Sequence, residues 1–165
     1  MRKQLICLLV LVMMVHVPAG AQQPRPPRFE ITISPTVRSA PLTGRLVLVV
    51  SKTAEPEPRL TVAPQGPAIF GVDLNQLRAG QPVVVDTASL GYPMKLSALP
   101  VGDYYVQPVI NVYEQVHRSD GKTIWVHMND GSQEVSQTAA GNLYGPAQRV
   151  HFGTGGTVRL VVDHV

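Results

Sequence analysis

The chain has 165 residues, 44% of them hydrophobic, which fits one domain able to bury about two thirds of its unfolded surface. Its 14 Lys and Arg against 11 Asp and Glu form no basic cluster, so the electrostatic footprint of a nucleic-acid binder is absent. The single cysteine, Cys7, excludes a disulfide framework and a multi-thiolate zinc site.

The chain opens with the pattern of a targeting segment. Arg2 and Lys3 make a positive start, Leu5 to Val17 is apolar, and Pro18-Ala19-Gly20-Ala21 supplies a small-residue cleavage site. The apolar run is 13 residues, against the about 20 a membrane-spanning helix needs. Residues 1–21 therefore read as a cleaved signal peptide, and the mature protein as secreted or periplasmic, with no membrane attachment. The 165 residues less the first 21 leave 144. Losing Arg2 and Lys3 takes Lys and Arg from 14 to 12 against 11 acidic residues, a net charge of +1. Cys7 leaves with the segment, so thiol chemistry leaves too.

Residues 22–28, QQPRPPR, read as a Pro-rich exposed tether, because Pro24, Pro26 and Pro27 favour extended backbone. Residues 29–165 then form a single domain. Phe29, Ile31 and Ile33 alternate with Glu30, Thr32 and Ser34, the pattern of a half-buried strand. Arg45 to Lys52 is apolar on both faces in its middle, as a strand covered on two sides would be. Arg59–Ala63, Ala68–Asp73 and Pro82–Asp86 read as short strands. Asn75–Arg78 reads as a helical turn capped by Asp73 and stopped by Gly80. Gly91-Tyr92-Pro93 reads as a turn.

The stretch Leu99–Met128 holds the only Trp and three of the five Tyr. Tyr104, Val106, Pro108, Ile110 and Val112 alternate with Tyr105, Gln107, Val109, Asn111 and Tyr113, and the first set is the expected core face. Pro108 cannot donate to a ladder, so the strand has a bulge there or runs along a sheet edge for part of its length. Asp120-Gly121 is a hairpin signal, and Thr123–Met128 the returning strand. Ser132–Gly145 reads as a long loop. Gln148–Phe152 and Thr157–Asp163 are the last strands, joined by Gly153, Gly155 and Gly156. About eight short strands punctuated by Gly and Pro predict an all-β fold, an immunoglobulin-like or transthyretin-like antiparallel β-sandwich.

Chemistry-bearing patterns are sparse. No G-x-S-x-G occurs, so a strand–turn–helix nucleophile is not expected. His117, Asp120, His127 and His151 are available ligands; His117 and His127 flank the hairpin and are the weak metal candidates, but their spacing matches no established metal motif. Gly153–Gly156 lacks the Lys and following helix of a phosphate loop. No catalytic residue and no cofactor is expected. The suggestive set is Tyr105, Tyr113 and Trp125 beside Gln107 and Asn111. Aromatic rings next to amides on one solvent-facing side suit stacking on sugars and hydrogen bonding of their hydroxyls. Aromatics also simply fit strands.

Leu99–Tyr105, read as L-P-x-G-x-Y-x, resembles a segment of transthyretin-like and carboxypeptidase-regulatory β-sandwiches. A longer resemblance rests on Pro41–Leu46, Glu57–Leu60, Phe70–Asp86, Leu90–Pro93, Leu99–Tyr113, His117–Met128 and Gly141–Tyr144. Together these are similar to the N-terminal region of secreted bacterial proteins in which it precedes an esterase domain of the α/β-hydrolase type. The resemblance implies a non-catalytic sandwich ahead of an enzyme. No catalytic residue is carried over, since this sequence has no positions matching the hydrolase. The expected partner is a hydrolase domain or protein. Polysaccharide binding through the aromatic face is the alternative, and a small metal-dependent enzyme the second alternative.

Overall fold

The computed structural model describes residues 24–127 and 138–165. The targeting segment and residues 132–137 of the predicted Ser132–Gly145 loop lie outside the described residues. Among those described, the strands are β1 (Arg28–Ile33), β2 (Leu42–Ser51), β3 (Ala68–Leu77), β4 (Val83–Val85), β5 (Leu90–Tyr92), β6 (Gly102–His117), β7 (Thr123–His127), β8 (Leu143–Tyr144), β9 (Gln148–Phe152) and β10 (Thr157–Val162). A small sheet runs β10-β1-β4. A large one runs β5-β3-β2-β6, with β7, β8 and β9 along β6. The predicted all-β sandwich is present. Its strand count exceeds the expected eight because β5 and β8 are too short to show alternation. Its pairing is not purely antiparallel, since β1 and β10 run parallel, from Arg28 opposite Thr157 to Ile33 opposite Val162.

Alternation builds the core between the sheets. Phe29, Ile31 and Ile33 of β1 point inward with Val83 and Val85 of β4 and Leu160 and Val162 of β10. Leu46, Leu48 and Val50 of β2, Phe70 of β3, and Tyr104, Val106 and Ile110 of β6 meet them from the large sheet. The other face of β2 is buried as well. Val47 and Val49 join Val109 in a second, smaller cluster under Val62, Ile69 and Tyr144. That is why the Arg45–Lys52 run is apolar on both faces.

β6 pairs with β2 without interruption, from Thr43 opposite Tyr113 to Ser51 opposite Tyr105. Its other edge is handed from β9 to β8 to β7. Pro108 sits in the gap between β9 and β8. Its carbonyl accepts the Gly145 N–H at 3.0 Å. The N and C=O of one strand residue point the same way, so the missing N–H lies on this broken edge and β2 loses no bond. Of the two readings of Pro108, the edge is correct and the bulge is not. Gly145 crosses very near the small sheet here: a Cβ on it would stand 2.1 Å from the Val161 carbonyl oxygen.

Three local expectations are overturned. Asn75–Arg78 is no helical turn; β3 runs on to Leu77. Gly44 lies opposite Leu74 and Leu42 opposite Leu77, so β3 carries one extra residue, a bulge at which Gln76 takes a φ of 50°. The bulge lets Leu74 and Leu77 both face the core, and their spacing of three imitates a helix. Arg59–Ala63 is no strand: Arg59 to Thr61 belong to a 3-10 turn at Pro58–Thr61, whose leading proline has no N–H to give a ladder. Gly91-Tyr92 is not a turn but part of β5, paired with β3.

Over Arg25–Arg28 the Pro-rich leader is tied down by its backbone, although Arg25 and Arg28 are exposed. The Arg25 N–H donates to the Gly153 carbonyl at 3.3 Å, the Arg25 carbonyl accepts from Gly155 at 3.0 Å, and the Arg28 N–H reaches the Gly156 carbonyl at 2.8 Å. The prolines donate nothing, and the two arginines between them take up the glycine-lined β9–β10 connection.

Candidate functional site

Register places the five singled-out residues on one side of the large sheet. Tyr105, Gln107, Asn111 and Tyr113 alternate to the outer face of β6. β7 sets His127 opposite Tyr113, Trp125 opposite Gln115 and Thr123 opposite His117, so Trp125 shares that side.

The amides do not face solvent as expected. Gln107 is 1% exposed and Asn111 6%. The Glu57–Thr61 segment and the Asn142–Gly145 segment lie across them. Gln107 Oε1 accepts the Arg59 backbone N–H at 2.9 Å, and its Nε2 donates to Gly145 O at 3.0 Å and Glu57 Oε2 at 3.2 Å. Asn111 Oδ1 accepts from Asn142 Nδ2 at 3.2 Å, and Asn142 Oδ1 lies 3.0 Å from His127 Nε2. Tyr113 meets the His127 ring edge-on, centroids 6.2 Å apart. Gln107 and Asn111 are therefore structural amides holding the two covering segments.

The two histidines do not lie across from each other. His117 is opposite Thr123, its Nδ1 2.9 Å from Thr123 Oγ1, while His127 is opposite Tyr113. Four residues of strand, about 13 Å, separate them, far beyond a shared metal with bonds of about 2 Å. Among the described residues, no group of three or more His, Cys, Asp or Glu is placed to hold a metal. His151 instead pairs with Asp103 at 2.9 Å, beside Arg149 at 2.7 Å. The Arg149 hydrogen bond, then that of His151, holds the Asp103 carboxyl below its ordinary range.

Tyr105 lines an open cleft of about 340 Å³ with Glu57, Gln107, Tyr144 and His164. The last strand's tail shapes it: Tyr144 and His164 exchange backbone hydrogen bonds at 3.0 Å and stack their rings at 5.2 Å. The Arg59 guanidinium lies 3.9 Å from the Tyr144 ring centre and bonds Glu57 at 2.7 Å. Glu57, Arg59, Tyr144 and His164 escape sequence reasoning because they sit in loops and strand ends without period. One signal points to them: a glutamine inside the apolar run YYVQPVINVY must find partners if buried.

The Gln107 amide, then Arg59, holds the Glu57 carboxyl below its ordinary 4.5, against a smaller opposing effect of burial. A lowered native pKa gives stability that is full above the unfolded value and lost as pH falls through the native one. Glu57→Gln is thus expected to melt below the native protein at neutral pH, with the gap closing as the pH falls below the ordinary 4.5. The side chain is 42% exposed, so screening keeps the gap small. Thermal melts across pH check this, and a gap independent of pH would refute it.

Past Tyr113, β6 and β7 continue as a two-stranded ribbon beyond the last β2 pairing. Val116 lies opposite Ile124 on one face, each 36% exposed, and Trp125, 46% exposed, is on the other. Gly121 turns the ribbon at a φ of 79°, with Lys122 N–H bonded to Asp120 Oδ1 at 3.1 Å.

No protein family matches the chain, and neither a curated protein nor a solved structure matches it. Among the described residues, no helix is long and apolar enough to cross a membrane.

Proposed function

We propose that this chain is an exported, non-catalytic β-sandwich that acts as an interaction module, docking a hydrolase domain or protein through the β6–β7 ribbon. The observation that carries the reading is the ribbon itself. A lone two-stranded ribbon is marginal in water, yet this one exposes Val116, Ile124 and Trp125 over both faces. Such a surface fits burial in a complex, and Trp is the residue type most enriched where binding energy concentrates. The resemblance to a region that precedes an esterase supplies the class of partner.

Trp125 is the only tryptophan, so its emission reports the ribbon alone. Titrating an α/β-hydrolase domain of the esterase type is expected to shift that emission to the blue. Ile124→Ser is expected to weaken the complex about tenfold or more while leaving the melting temperature nearly unchanged, because the position is exposed. Esterase activity in the purified chain, abolished by a point substitution in it, would overturn the non-catalytic reading.

Polysaccharide binding is a second reading, favoured by Tyr105 in the open cleft. With the amides of Gln107 and Asn111 turned inward, Tyr105 keeps Glu57 and His164 as polar partners in the cleft, while Tyr113 and Trp125 lie about 27 Å or more further along the sheet as separate stacking surfaces. Unchanged Trp emission across broad polysaccharide classes, together with unchanged binding arrays, would remove it.

A further inference from the structure

We propose a second binding site, at the opposite edge of the large sheet from the ribbon, for a medium-chain fatty acid. It stands independently of the ribbon reading.

The site follows from register. Leu90, Gly71 and Val47 form one row across β5, β3 and β2, and Tyr92, Ile69 and Val49 the next. Gly71 puts no side chain in the middle of its row. The result is a notch of about 290 Å³ walled by Val47, Ile69, Leu90 and Tyr92. An apolar hollow of about 430 Å³ below Val62, Ala63 and Pro64 shares Ile69 and Tyr92 with it. Each has the size of a small-molecule site. Leu90 and Tyr92 are 69% and 52% exposed, so the trough is open. The Tyr92 hydroxyl donates to the Pro64 carbonyl at 3.1 Å, which leaves its ring as apolar wall.

Arg45 gives the trough a charged end. Its Nη1 bonds Asp73 Oδ1 at 2.5 Å. Its Nη2 and Nε lie 2.6 and 2.9 Å from where a Cβ on residue 71 would stand. The guanidinium thus lays a second edge in the notch that glycine leaves open. A guanidinium presents its N–H groups in a fork that fits a carboxylate, and flanking apolar walls strengthen the pairing. Aliphatic walls with a guanidinium at one end suit an alkyl chain with a carboxylate head.

Calorimetric titration of the whole protein with decanoate and with decanol tests this. Saturable decanoate binding, with decanol about tenfold weaker or worse, is expected. Arg45→Gln should remove the preference for the acid while leaving weak alkyl binding. Gly71→Val should abolish both by filling the notch, and Leu90→Glu, at an exposed position, should weaken both without that crowding; circular dichroism and melts verify folding. Trp125→Ala should bind decanoate as the native chain does, so failure here is distinct from failure at the ribbon. Lack of saturable decanoate binding, equal affinity for decanol, or a preference that survives Arg45→Gln would overturn the site.

Discussion

Gln107→Ala is expected to lower stability by about 2–4 kcal/mol, the cost of leaving buried polar partners unsatisfied. Three bonds end at this amide. The Arg59 N–H at 2.9 Å and the Gly145 carbonyl at 3.0 Å are main-chain groups on the two segments that cover the outer face of the large sheet. The third, to Glu57 at 3.2 Å, is the first cause of that carboxyl's lowered pKa. Gln107 is itself 1% exposed, so its removal takes away the partner that the fold supplies to both main-chain groups. Gln107→Leu keeps the volume and still strands both groups, so it should cost nearly as much as alanine. Urea unfolding followed by far-UV circular dichroism measures the loss. A sugar-contacting Gln107 makes the opposite demand: stability unchanged and affinity gone. A loss below about 0.5 kcal/mol would show that the covering segments do not depend on this side chain.

The same residue shows where reading the sequence works and where it fails. Period-two alternation identifies Phe29, Ile31 and Ile33, or Tyr104, Val106 and Ile110, because each strand has one core face and one wetter face. It says nothing about which loop covers the wetter face, since that depends on contacts distant in sequence. Gln107 and Asn111 therefore look like solvent-facing amides until Glu57–Thr61 and Asn142–Gly145 are laid over them. Leu74 and Leu77 mislead in another way. A bulge and a helical turn both place residues three apart on one side, and only the pairing with Leu42 and Gly44 distinguishes them. Pro108 was legible as an anomaly, but its resolution needed the positions of β8 and β9. Of the candidate site, the shared side of Tyr105, Tyr113 and Trp125 was legible from alternation and the Asp120-Gly121 turn. The cleft with Tyr144 and His164 was not, because it joins β8 to the chain's last residues. The Arg45–Gly71–Leu90 trough was hidden for the same reason, since β5 is only three residues long.

Phe152→Ala is expected to cost about 3–5 kcal/mol, the range for emptying a buried aromatic site. Phe152 is 1% exposed, its ring centre 4.8 Å from Tyr104 and 5.9 Å from Phe29. Tyr104 belongs to the large sheet and Phe29 to the small one, so this ring closes one corner of the sandwich. Little nearby can collapse into the gap. The Tyr104 hydroxyl is held by the Pro100 carbonyl at 2.9 Å, and Lys52 Nζ sits 3.4 Å from the centre of its ring. β9 is tied to β6 by its ladder, while Val150 and Phe152 are its inward side chains toward the small sheet. Phe152→Leu refills most of the space and should cost less than half as much, so the pair of variants separates cavity from chemistry. Both losses can be read by urea unfolding. Phe152 lies opposite Gly102, the first residue of a 16-residue strand whose last residue, His117, is on the ribbon. At about 3.4 Å per residue the two ends are about 50 Å apart. Folded Phe152→Ala is therefore expected to engage the ribbon's partner with native affinity, whereas Ile124→Ser loses the partner and keeps its stability. Equal effects of the two substitutions on binding would mean that the corner and the ribbon form one cooperative surface, and the assignment of the ribbon as a separate docking arm would fall.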